Sequence, residues 1–106
     1  IMSRRIDEGM RNHLRDVLIL EGYVAIEKDK PNRLYYTLHM WVDLLETKVQ
    51  IWTKDGRLNT MHHIVEYEKL WNDSYVLCDF MVHQHDAEVE ARRLTAEDDA
   101  KEKETK

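Results

Sequence analysis

Apolar residues recur at helical spacing along the first twenty positions. Ile6, Met10, Leu14, Val17 and Leu18 fall on one stripe, which predicts an amphipathic helix facing a core. Ser3 is placed to cap it and Gly22 to stop it. Gly9 lies inside the pattern, where glycine costs about 1 kcal/mol against alanine. The period then changes. Between Tyr23 and Val42 two segments rich in β-branched and aromatic residues flank the polar break Lys28–Asn32. Pro31 lacks an amide donor and Asn32 favours turns, so a β-hairpin is predicted. Its second arm alternates Leu34, Tyr36, Leu38 and Met40 with Tyr35, Thr37, His39 and Trp41. Both faces of Leu34–Val42 are fairly apolar, which predicts cover on both sides or self-association through the hairpin.

Further along, Val49, Ile51 and the Lys-Asp-Gly turn at 54–56 favour a third strand. The alternative there is a short helix capped by Asp43 and running through Leu45. Residues 59–71 fit two periods. A helix capped by Asn59 or Thr60, with Met61, Ile64, Val65 and Trp71 on one side, is preferred to a strand through Val65, Tyr67 and Trp71. Residues 74–82 alternate Val76, Cys78, Phe80 and Val82, which predicts a strand. From His85 onward Ala87, Val89, Ala91 and Leu94 stand among charges, and a charged helix decaying into a solvated tail is expected. The fold expected is α+β: an N-terminal helix, an antiparallel sheet of three to five strands built on a hairpin, and a C-terminal helix with a charged tail. Residues 1–95 form one compact domain and 96–106 the tail.

Composition narrows the function. At 106 residues, 42% hydrophobic and 35% charged, the chain can build one core under a heavily charged surface. Its net charge of −5 is the wrong sign for strong non-specific nucleic-acid binding. No apolar run approaches the ~20 residues a membrane helix needs, and the charge density of Ser3–Asp16 argues against a secretory leader. One cysteine cannot form an internal disulfide, so a reducing, cytoplasmic setting is expected. The three glycines make no phosphate-binding loop, and no serine-centred nucleophile motif is visible.

Candidate chemistry concentrates between Met61 and His85, which hold four of the six histidines and the sole cysteine. Imidazole and thiolate are the usual ligands of first-row metals. Adjacent His62 and His63 diverge on a strand or a helix, whereas His83 and His85 share a face on a strand. A closed structural metal site is therefore not expected. The carboxylates of Glu66, Glu68, Asp79 and Asp86 leave room for a weak, open one. The plainer alternative buries Cys78 as a small hydrophobe and leaves the histidines at element edges.

Two local resemblances add to this. His62-His63-Ile64, Asn72-Asp73, Leu77-Cys78 and His83 resemble, in order, the ββα-metal finger of HNH endonucleases. That resemblance implies a divalent metal held by His62, His83 and His85, with His63 as general base and Asn72 orienting it. Leu20-Glu21-Gly22-Tyr23, followed by Asp29 and Arg33-Leu34-Tyr35-Tyr36-Thr37-Leu38, resembles the back half of a winged-helix domain. There the implied DNA-binding residues are Arg4, Arg5, Arg11 and Arg15.

The acidic balance places both behind a non-catalytic reading. Three tryptophans and five tyrosines are many for so small a core, and exposed aromatics often anchor interfaces. The leading expectation is a small intracellular accessory or regulatory protein acting through protein–protein binding, without a cofactor. Tyr35, Tyr36, Trp41, Trp52 and Trp71 are its expected anchors. Its expected partners are a second copy of itself or a protein with a basic surface.

Overall fold

The computed structural model describes the backbone of residues 2–54 and 59–104, and side chains at 6–54, 60 and 62–101. The fold is α+β, with an N-terminal helix, a four-stranded antiparallel sheet and a long C-terminal helix. Helix α1 spans Met2–Leu20. Its end is a Schellman turn: Tyr23 N–H donates to the Leu18 carbonyl at 2.9 Å and Gly22 N–H to that of Ile19 at 3.0 Å. Gly22 takes φ of 104° there, a backbone state that glycine reaches without strain. The turn swings Tyr23 into the core.

Strands β1 (Arg33–Thr37), β2 (Met40–Leu44), β3 (Lys48–Lys54) and β4 (Asn59–Glu66) follow as a simple meander. The register sorts the two faces. Leu34, Val42, Ile51 and His63 form one inner row, and Leu44, Val49 and Val65 sit in the next. The apolar members of these rows join Met10, Leu18, Tyr23, Phe80, Ala87 and Ala91 in the core. The opposite face carries the rows Tyr35–Trp41–Trp52 and Arg33–Asp43–Gln50–Ile64. Helix α2 (Tyr67–Asn72) leads through Asp73 into α3 (Ser74–Glu104). Asp73 caps α3, its Oδ1 accepting from the amide of Tyr75 at 2.9 Å and of Val76 at 3.4 Å. Val76, Phe80, Ala87 and Ala91 then recur at helical spacing along the sheet. Two of these are alanines with no exposed surface, so the helix approaches the strands closely.

Four local expectations change. The predicted hairpin is displaced: its first arm survives as a single bridge between Val24 and Tyr35, and its second arm is itself split into β1 and β2. The new turn is Leu38–His39, held by the Thr37 hydroxyl accepting from His39 N–H at 3.0 Å. The expected third strand forms as β3, and Asp43, cap of the alternative helix, lies within β2. Residues 59–66 are a strand, and helix begins only at Tyr67. Residues 74–82 are helix, so Cys78 is exposed while Phe80 is buried. The charged stretch after Thr95 continues α3 to Glu104, with 96–101 exposed. Of the turn predicted at 54–56, residues 55 and 56 lie outside the described residues. Among the described residues no helix is long and apolar enough to cross a membrane.

Candidate functional site

The histidines meet where edge strand β4 faces the start of α3. On β4 the ladder pairs Ile51 with His63 and then Trp52 with Met61, leaving His62 as the extra residue of a bulge. Regular strand geometry would separate the two rings; here both lie beside His83. The His63 and His83 rings stack 4.2 Å apart, and His62 meets His83 edge-on at 5.5 Å. On α3, Asp79 and His83 are four residues apart and so share a face. Asp79 Oδ2 stands 3.6 Å from His63 Nε2 and 3.5 Å from His83 Nε2, too far for good hydrogen bonds. His63 Nε2 is buried and, among the described residues, has no hydrogen-bond partner. Burial, and then the facing His83, lower the His63 pKa, while Asp79 opposes them; the neutral imidazole is the favoured form. The cluster opens onto a surface concavity of about 630 Å³ lined also by Lys48, Glu66, Lys69 and Tyr75.

The expected metal set is thus partly assembled and differently composed. His62 and His83 come together. His85 lies about 200° round the helix from His83 and is exposed toward Glu21 and Met81, so it does not join them. His63 takes a ligand-like place, and Asn72, exposed at the end of α2, makes no described hydrogen bond to it. On the strand reading of 74–82 Asp79 is one of four nearby carboxylates with nothing to single it out. Read as helix, Asp79-x-x-x-His83 is a two-ligand spacing.

Of the expected DNA-binding arginines, the two whose side chains are described lie in different surroundings. Arg11 lines a concavity with Asp7, Glu8 and Glu46, and the Nε of Arg15 is buried. The side chains of Arg4 and Arg5 lie outside the described residues.

The aromatic anchors divide. Tyr35, Trp41 and Trp52 form a ladder on the outer sheet face, with centroid separations of 5.4 and 6.5 Å. Arg33 lies over Trp41 at 5.2 Å and chelates Asp43 through bonds of 2.8 and 3.1 Å. Trp41 is thereby only 4% exposed without entering the main core. Tyr36 packs beside Tyr23 and accepts from Arg92 at 2.7 Å. With Leu34, Met40 and Val42 in the core, the inner face of the hairpin is covered, while Tyr35 and Trp52 on the outer face stay partly exposed. Trp71 alone of the five is fully exposed in class, at 61%.

A set of uncovered apolar residues also lies on α3. Tyr75, Cys78, Met81, Val82 and Val89 all face solvent, Tyr75 at 86%. No family model matches the chain, and neither the curated proteins nor the solved structures provide a match.

Proposed function

We propose that this chain is a non-catalytic interaction module that pairs with a second copy of itself along the outward face of α3. One observation carries the reading. The first turns of α3 are apolar on both faces: Val76 and Phe80 face the sheet, while Tyr75, Cys78 and Val82 face away. A helix apolar all round is ordinarily buried on all sides. The outward residues Tyr75, Cys78, Val82, His85 and Val89 alternate by three and four positions, the spacing of a helix-pairing seam. Such a seam is complementary to another of the same spacing, and a second copy supplies one. The seam covers about four turns, or ~20 Å, short of an obligate interface. The dimer is therefore weak and reversible, with a Kd on the order of micromolar. A reducing, cytoplasmic setting suits it, since Cys78 stays a free thiol within the seam.

Sedimentation velocity from micromolar to near-millimolar concentration tests this. A concentration-dependent monomer–dimer equilibrium is expected, abolished by Val82→Glu without loss of helical circular dichroism. A monomer throughout, or a dimer indifferent to Val82→Glu, refutes it. A monomer that binds a basic-surfaced protein would replace the self-pairing reading with a heterologous one.

A further inference from the structure

We propose that His63, Asp79 and His83 form an open binding site for a zinc-class divalent cation that clasps β4 to α3. The ligand atoms of these three residues all lie within 4.8 Å of one another. Bonds of 2.0–2.1 Å in tetrahedral geometry put ligand atoms about 3.3 Å apart. The two carboxylate–imidazole separations, 3.5 and 3.6 Å, need to contract by only a few tenths of an ångström. A second, independent feature points the same way. His63 Nε2 is a buried nitrogen without a hydrogen-bond partner among the described residues, and such atoms ordinarily have one. A cation between the three residues would take up that lone pair and bring Asp79, otherwise too distant for a good hydrogen bond, into direct coordination.

The donor set selects the ion. Two imidazoles and one carboxylate suit zinc and its late first-row neighbours better than magnesium or calcium, which prefer oxygen. Three protein ligands leave at least one position free, and Asp79 borders the concavity that also contains Lys69 and Tyr75. The site is thus open where a structural zinc site would be closed. It joins an edge strand to a helix across the fifteen residues of chain between His63 and Asp79, so binding ties together two elements that α2 otherwise links. Regular alternation from Val65 puts His63 in the inner row facing the helix, and the bulge beyond it leaves His62 as the extra residue.

Isothermal titration of the full, chelator-treated chain with ZnCl2 decides the proposal, with Co²⁺ absorption spectra alongside. One ion per chain is expected, with a rise in Tm that EDTA reverses and visible d–d bands for bound Co²⁺. His63→Gln, Asp79→Asn and His83→Gln should each weaken binding at least about tenfold, and His85→Gln should leave it unchanged. Asp79 and His83 are partly exposed, so those two variants retain the fold; circular dichroism checks His63→Gln. Imidazole NMR shifts of the unaltered protein provide a readout that needs no variant. Absence of saturable 1:1 binding overturns the site, as does binding that survives His83→Gln and Asp79→Asn or is lost with His85→Gln. Sedimentation of the same samples keeps the outcome separate from that of self-pairing.

Discussion

Replacing Phe80 by alanine, beside the matching change at Cys78, tests the architecture most sharply. An alternating strand would place these two residues on one face. Helix α3 places them on opposite faces: Phe80 is 2% exposed and belongs to the core, whereas Cys78 is exposed. Truncating a buried phenylalanine costs about 3–5 kcal/mol, through lost transfer energy and the cavity left behind. A domain of this size has about 5–15 kcal/mol of stability in all. Phe80→Ala should therefore remove a fifth or more of it and lower Tm by roughly 12 °C or more. Cys78→Ala, on a solvent-facing position, should stay within about 0.5 kcal/mol. Urea titration followed by circular dichroism measures both, at concentrations below the proposed dimer's Kd. Thiol labelling of Cys78 in the folded protein is the companion assay, and it should proceed at nearly the unfolded rate. Equal losses for the two variants, or a Cys78 thiol protected until global unfolding, would refute the placement of α3.

Gly9→Ala should stabilise the fold by about 0.5–1 kcal/mol, since a methyl group there meets open space and helix propensity improves; chemical denaturation shows the sign. Alkaline pH should weaken the protein. Burial raises the pKa of both Tyr23 and Tyr67, with the Tyr23 bond to Glu88 at 2.6 Å adding to its shift. Their neutral forms support the fold fully below the ordinary tyrosine value of about 10, and that support is lost as pH rises beyond it. Denaturation at pH 9 and 11 measures the loss, and Tyr23→Phe should lessen it. Removing residues 96–106 should cost no more than about 1 kcal/mol, since the residue 39 ring's contact with Asp98 is an exposed pair; a larger fall in Tm would show that this part of α3 docks on the domain.

Helix α1 was legible because its stripe, its stop and its period agree. Met10 and Leu18 are buried where the stripe puts them, and Gly22 ends the helix by the expected mechanism. Strand β3 was legible for similar reasons. The turn at Leu38–His39 was not, because neither residue carries turn chemistry; the flanking Thr37 hydroxyl supplies it. The 74–82 segment misled because Val76 and Phe80 satisfy a spacing of two and a spacing of four alike. Only Ala87 and Ala91 settle the phase, and small residues are weak signals of burial. The candidate site inherited that error: with His83 and His85 taken to share a strand face, His85 stood beside His83, and Asp79 did not. The bulge at His62 has no signature in the residues themselves.

The meander has a consequence for how the chain acquires its structure. Each strand pairs with its neighbour in sequence, so the sheet assembles from local hairpins, whose loops close quickly. The inner rows of that sheet, Val42, Val49 and Ile51 among them, are covered by residues 76–91 of α3. During synthesis, which runs from the N-terminus, the strands leave the ribosome before their cover does. A nascent chain ending near Asn72 carries a paired sheet with one bare apolar side. The last helix is therefore the step that converts an adhesive intermediate into a native molecule, and chains halted before Ala91 are the ones that holdase chaperones would retain.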